Sequence, residues 1–264
     1  MRKLLVAVLA VLVFASPCLA SPRSETIYNG GESTYFPATP GPVFDGARDV
    51  LYDNGPLESP PGSGLSTHDT TTGMSTYGFG HHTSAGYWIA DEFVIPDGAT
   101  WEIHDIFFFA YQTGSPTSPS PFTAVYLEIY NGAPNAGGYP VWGAAGTNVL
   151  VSSVWTGLYR VTDYDPTGTM RPIMANRCTI GTTLGAGEYW LVWQSDGSLS
   201  SGPWAPPITI PGVTNTGNGL QMDSAGTWSP AIDLDPQGFP FIIEGVLPSP
   251  VEETTWAAVK AMFR

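Results

Sequence analysis

Between residues 46 and 245 the apolar residues recur at every second position in short runs. No apolar pattern of helical period is sustained over a window of about 11 residues. A surface helix needs its stripe at i, i+3, i+4 and i+7, whereas a half-buried strand needs alternation, and alternation is what recurs. In Phe122–Tyr130 one face carries Thr123, Val125, Leu127 and Ile129, and the other carries Phe122, Ala124, Tyr126, Glu128 and Tyr130. Across residues 101–111 one face reads Trp101, Ile103, Asp105, Phe107, Phe109 and Tyr111. Further strands are expected at 88–95, 148–155, 159–162, 172–180, 189–194, 208–210, 219–222 and 241–244. Turn signals separate them: Pro96-Asp97-Gly98, Asn131-Gly132, Asp165-Pro166, Gly185-Ala186-Gly187, Asp196-Gly197 and Pro211-Gly212. About ten strands joined by Gly/Pro turns, with no helices between them, predict an all-β fold. The expected architecture is an antiparallel β-sandwich of jelly-roll type forming one domain over 46–246.

Composition agrees with a turn-rich β protein. The 264 residues include 31 Gly and 25 Pro, and only 12% are charged, which excludes a long helical bundle or coiled coil. A hydrophobic content of 42% supplies a core and excludes wholesale disorder. The formal net charge is -14, and no Lys or Arg lies between Arg48 and Arg160, so the basic footprint of a nucleic-acid binder is missing. Such an acidic surface repels anionic polymers and attracts divalent cations.

The two ends of the chain read differently. Arg2 and Lys3 precede an apolar run over 4–14, too short for a bilayer span, and Ser16-Pro17-Cys18-Leu19-Ala20 fits cleavage after Ala20. Residues 1–20 are therefore expected to be a secretory signal peptide. A lipid anchor on Cys18 would want Leu three positions earlier and a small residue just before it, where Ala15 and Pro17 stand. Residues 21–45 read as a leader or linker. Loss of Arg2 and Lys3 removes two of the nine basic residues and takes the formal charge from -14 to -16. It leaves Cys178 as the lone cysteine, so no intramolecular disulfide is available. Residues 247–264 read as a linker and a short amphipathic C-terminal helix. Ser249 suits the N-cap, Pro250 the first helical position, and Glu252 and Glu253 the first turn. Trp256, Val259 and Phe263 form an apolar stripe, with Lys260 and Arg264 near the negative end.

With these residues in view, the chain resembles an uncharacterised family of exported bacterial β-sandwich proteins. The resemblance rests on Tyr52-Asp-Asn-Gly-Pro56, Gly78-Phe-Gly80, Ala90-Asp-Glu-Phe93 and Phe107-Phe-Phe-Ala-Tyr-Gln-Thr-Gly114, together with Arg171-Pro-Ile173, Gly187-Glu-Tyr-Trp-Leu191 and Gly202-Pro-Trp-Ala-Pro-Pro207. It covers roughly residues 50–246, and its motifs are specific as a set rather than singly. It implies secretion and a sandwich fold, and no activity. The ending over 250–264 is similar to a short C-terminal segment of assorted exported bacterial proteins, many of which carry Gly where this chain has Ala257. That likeness implies a sorting or attachment role for Trp256, Val259, Lys260, Phe263 and Arg264.

Catalytic signatures are missing: there is no His-Glu-x-x-His helix, Gly-x-Ser-x-Gly elbow or phosphate loop. The histidines are His68, His81, His82 and His104; the adjacent pair points to opposite faces of an extended chain and cannot share one zinc ion there. Calcium is the metal this sequence suits better. Asp163 with Asp165 and Asp233 with Asp235 each place two carboxylates at i and i+2 ahead of Pro and Gly, and Asp45, Asp49 and Asp53 add a third group. The competing reading is an Asp-Pro turn that satisfies its own backbone. Trp88, Trp142, Trp204 and Trp228 lie beside Gly/Pro loops, where indoles stack on sugar rings or plug the ends of a sandwich. The polar stretch 112–121 is a solvated loop or a recognition loop. The leading expectation is a secreted, non-catalytic, adhesive protein displayed at the cell surface or in extracellular matrix, with extracellular polysaccharide or a cell-surface component as partner. A calcium-assisted carbohydrate-binding module is the alternative, and an extracellular polysaccharide hydrolase the second. No transmembrane segment is expected after signal cleavage.

Overall fold

The computed structural model describes residues 48–247. The expected signal peptide, the leader and the C-terminal segment beyond Leu247 lie outside the described residues. In chain order the strands are β1 (Asp49–Asp53), β2 (Leu65–His68), β3 (Phe79–Gly80), β4 (Trp88–Ala110), β5 (Phe122–Tyr130), β6 (Pro140–Asn148) and β7 (Leu150–Thr162). They continue as β8 (Pro172–Gly197), β9 (Trp204–Ala205), β10 (Leu220–Met222), β11 (Trp228–Pro230), β12 (Ile232–Asp233), β13 (Asp235–Pro236) and β14 (Phe241–Val246). The described helices are single 3₁₀ turns, so the described chain is mostly β, as the alternation predicts. Ten strands form one sheet, in the order β1-β14-β4-β8-β5-β6, with β10 and β11 added beside β4 and with β7 and β2 beside β8. The sheet is mixed rather than purely antiparallel, because β2 pairs with β7 in parallel.

Two elements dominate. The residues expected to make separate strands at 88–95 and 101–111 form one strand, β4, and those expected at 172–180 and 189–194 form one strand, β8. The turn signals between them become facing irregularities: the ladder steps from Ile95 opposite Gly187 to Thr100 opposite Gly185. Gly98, at φ +77°, and Gly187, at φ +157°, supply backbone conformations that side-chain-bearing residues rarely adopt. Because both strands bend at the same level, pairing resumes beyond the bend instead of ending in a turn.

The bend folds the ribbon onto itself. A straight strand would hold Phe93 and Trp101 about 25 Å apart, at about 3.3 Å per residue. Their rings instead stack at 6.1 Å and 13°. Phe108 would stand about 60 Å from the Ile89–Trp193 pair in a straight ribbon. Its ring lies 4.5 Å from that of Trp193. The enclosed core includes Ile89, Phe93, Ile103, Ile106, Phe108, Leu191 and Trp193, with Phe239 and Phe241.

A second irregularity corrects the face expected over 101–111. The ladder steps from Ile103 opposite Thr182 to Asp105 opposite Thr179, with Gly181 at φ +63° in β8. A one-residue slip exchanges the faces of a strand. Trp101 and Ile103 therefore share the main core with Ile106 and Phe108, while Phe107, Phe109 and Tyr111 enter a separate cluster with Leu57, Ile173 and Ile242. Both faces are buried here, which is why Phe107-Phe-Phe-Ala110 reads as a continuous apolar run.

The core also holds an acid. Asp91 is opposite Leu191 and buried, and its carboxylate accepts hydrogen bonds from Phe239 N (2.6 Å), Glu92 N (2.8 Å) and Asn54 Nδ2 (3.0 Å). It thus ties β4 to the segments beside β1 and β14. Burial, the largest influence, raises its pKa from 3.8 to about 7. Stability from this group is complete below about pH 4 and is lost as pH rises through about 7. Buried His81, lowered to about 3, acts oppositely, since its contribution is complete above 6.5 and is lost as pH falls from there through about 3. The difference between parent and variant isolates Asp91. Asp91→Asn turns an amide toward a donor and is expected to cost about 1–3 kcal/mol in urea unfolding, more at pH 5 than at pH 8. A cost that does not vary with pH contradicts the buried-acid assignment.

Candidate functional site

The folded ribbon brings its two ends together, and a pocket of ≈ 200 Å³ opens where they meet. Tyr111 and Thr113 follow the end of β4, and Arg171 precedes the opposing start of β8. Ser201 and Trp204 come from beyond the far end of β8, and Tyr77 and Gly78 from just before β3. In an unfolded ribbon these groups would be tens of ångströms apart.

Several contacts fix the walls. The backbones of Tyr111 and Trp204 exchange two hydrogen bonds, each 2.9 Å. Buried Gln112 clamps the same junction, donating to Leu199 O at 2.9 Å and accepting from Leu199 N at 3.1 Å. This glutamine belongs to the stretch expected as a polar loop, but its side chain is internal. The Trp204 indole is half-buried, its Nε1 donates to Ser201 Oγ at 3.3 Å, and the His82 ring meets it edge-on at 6.0 Å. Gly78 sits where a Cβ would come 2.8 Å from the Tyr111 hydroxyl, 3.0 Å from Ala205 O and 3.1 Å from Trp204 Cβ. Only glycine fits without moving a wall.

The electrostatics run against the acidic character of the chain. The Arg171 guanidinium lies 4.0 Å from the centroid of the Tyr77 ring. Behind it, Arg160 is 1% exposed; its Nε donates to Tyr77 O at 3.0 Å and its Nη1 to Ser66 Oγ (3.1 Å) and Thr209 Oγ1 (3.0 Å). Its Nη2 has no hydrogen-bond partner. Burial lowers the Arg160 pKa to about 10, so the group stays charged at neutral pH. His68 is buried nearby; neither ring nitrogen makes a hydrogen bond, Nε2 lies 3.8 Å from Asp233 Oδ2, and burial followed by Arg160 lowers its pKa, favouring the neutral ring. Burial also raises the pKa of Tyr111 well above the usual phenol range. The pocket thus presents aromatic surfaces, hydroxyls and a guanidinium. None of its lining side chains is a carboxylate or an imidazole, so it offers no carboxylate pair for hydrolysis.

The other predicted residues are dispersed. Of the four candidate tryptophans, Trp204 lines the pocket. Trp88 and Trp228 meet across Met222, half-buried in a satellite cluster with Trp190, and Trp142 packs against the main core from β6. The aspartates are engaged locally. Asp163 accepts from Thr70 Oγ1 at 2.5 Å, Asp165 from Thr167 Oγ1 at 3.3 Å and Asp235 from Thr214 Oγ1 at 2.5 Å. Asp233 accepts from Ser75 N at 2.9 Å and Thr76 N at 2.8 Å. Asp163 and Asp233 both lie near His68, but no group of three or more His, Cys, Asp or Glu that could hold a metal ion forms among the described residues. Cys178 is buried in the main core. Trp256, Val259, Lys260, Phe263 and Arg264 fall outside the described residues. Among the described residues no helix is long and apolar enough to cross a membrane. No protein-family model matches the chain, and no curated protein matches it.

Tyr77, Tyr111 and Arg171 were not singled out as binding residues from the sequence. Their signal lay in the segments Gly78-Phe-Gly80, 107–114, Arg171-Pro-Ile173 and 202–207, which converge here. Gly78→Ala is expected to cost about 1–3 kcal/mol in thermal unfolding, because the added methyl has no room. An unchanged Tm contradicts the close approach of Tyr111 and Trp204 at this position.

Proposed function

We propose that this chain is an exported, non-catalytic glycan-recognition protein of the cell surface or extracellular matrix, and that it binds sugar at the Tyr77–Tyr111–Trp204 pocket. The observation that carries this reading is the composition of the pocket wall: the half-buried rings of Tyr77 and Trp204, with buried Tyr111, beside Arg171, Thr113 and Ser201. Sugar rings stack their C–H faces on aromatic rings and exchange hydroxyl hydrogen bonds with short polar side chains. The frame is taken to be the jelly-roll-type sandwich expected from the sequence, a reading supported by the self-folding β4–β8 ribbon. Export rests on the N-terminal leader, and surface attachment on the segment 247–264, both as read from the sequence. Membership of the exported β-sandwich family remains part of this proposal; four of the segments that carry the resemblance meet at the pocket.

The test is depletion of the protein from solution by insoluble polysaccharides. Capture by at least one is expected, and Trp204→Ala is expected to weaken it tenfold or more, about 1.4 kcal/mol. Trp142→Ala, which lies away from the pocket, is expected to leave capture intact. Capture should also persist in a calcium chelator, because the candidate aspartates already accept hydrogen bonds from the protein. Failure of every polysaccharide to deplete the protein, or equal capture of Trp204→Ala, contradicts the reading.

A further inference from the structure

The described residues contain four arginines, and they fall into two pairs with opposite treatment. Arg48 and Arg177 converge on Asp105, which is fully buried and also accepts from Thr179 Oγ1 at 2.7 Å; the Arg177 Nη2 contact is 2.9 Å. That pair is compensated within the protein, by Asp105 and by Glu244 opposite it. Arg160 and Arg171 converge on Tyr77 instead, one bonded to its carbonyl and the other set over its ring. Neither forms an ion pair with any described carboxylate. The oxygens that accept hydrogen bonds from Arg160 are neutral, and Asp233 acts on it at longer range.

In a chain with a formal charge of -14, a half-buried Arg171 that lines the pocket without an ion-pair partner among the described carboxylates is a local reversal of sign. The cation–π contact holds the Arg171 fork in place, so little rotamer freedom is left to lose when it pairs. Resting on the glycan reading above, we propose that the pocket selects a sugar ring bearing a carboxylate, a hexuronate, and that Arg171 pairs with that carboxylate. A planar guanidinium matches a planar carboxylate through two parallel hydrogen bonds. The pocket, at ≈ 200 Å³, is smaller than the roughly 300–1,000 Å³ of drug-sized sites, so it suits one ring at a chain end or on a side branch. The acidic surround favours that mode over a long polyanion. At physiological salt its repulsion fades within about 8 Å, and only the few charges next to the pocket are felt.

The test uses calorimetric titration of the full chain at physiological salt with three sets of short oligosaccharides. The sets are oligouronates (of galacturonate, glucuronate and mannuronate), the same oligomers with carboxylates reduced to alcohols, and neutral oligomers bearing sulfate esters. At least one oligouronate is expected to bind about tenfold or more tighter than its reduced counterpart, as a charge-assisted pair would give. Arg171→Gln is expected to abolish that difference, so that the oligouronate and its reduced form bind equally, and Arg171→Lys to restore part of it. Thermal unfolding of both variants establishes that they fold. Equal binding of oligouronates and their reduced forms, or an unaffected Arg171→Gln, overturns the carboxylate assignment and leaves the glycan reading standing. Tighter binding of the sulfated set also overturns it. If no oligosaccharide binds at all, the glycan reading and this inference fall together.

Discussion

The pairing of β4 with β8 is the constraint on which the rest of the fold depends. Two strands of this length would make a ribbon about 75 Å long if they ran straight. Both carry an irregularity at one level, 95–100 against 185–187, so the ribbon bends without breaking its ladder. The bend sets Phe93 on Trp101 and Phe108 on Trp193, and each such aromatic contact adds about 0.5–1.5 kcal/mol beyond the area it buries. Every other strand of the large sheet is placed, directly or through a neighbour, by these two. The pocket follows from the same event. Tyr111 and Arg171 lie at one end of the ribbon and Ser201 and Trp204 beyond the other, and folding makes them neighbours.

Buried charge is handled in three ways. Asp105 is neutralised by two arginines. Asp91 is satisfied by three donors, and its burial raises its pKa to about 7. Arg160 donates only to neutral oxygens and keeps one amino group without a hydrogen-bond partner. The first two arrangements are complete within the protein. The third is offset in part by Asp233, which acts on Arg160 at longer range.

The β class was legible because alternation is local: Val125, Leu127 and Ile129 face the main core as their spacing requires. The length of β4 and β8 was not, because Pro96-Asp97-Gly98 and Gly185-Ala186-Gly187 have the chemistry of turns and only their mutual register makes them bulges. The face of Phe107, Phe109 and Tyr111 is not legible for a related reason, since the slip near His104 depends on β8 and β14 as well as on β4. The parallel pairing of β2 with β7 carries no local signature. Of the site, Trp204 was legible from its Gly/Pro setting. Tyr77 and Arg171 were not, because their role comes from a ring and a guanidinium meeting across 94 positions of sequence. The four aspartates illustrate the reverse case: their spacing suits calcium, yet their oxygens accept protein hydrogen bonds in the fold.

The central claim is that the β4–β8 ribbon folds over and thereby brings its ends together. Its most direct test is an NMR measurement on protein selectively labelled at Phe and Trp, with Phe108→Leu and Trp193→Phe used to assign the two rings. With ring centroids 4.5 Å apart, a strong nuclear Overhauser effect between Phe108 and Trp193 is predicted. Complete absence of that cross-peak, with both rings assigned and the protein folded, would mean that the ribbon does not close and that the pocket is not formed as described.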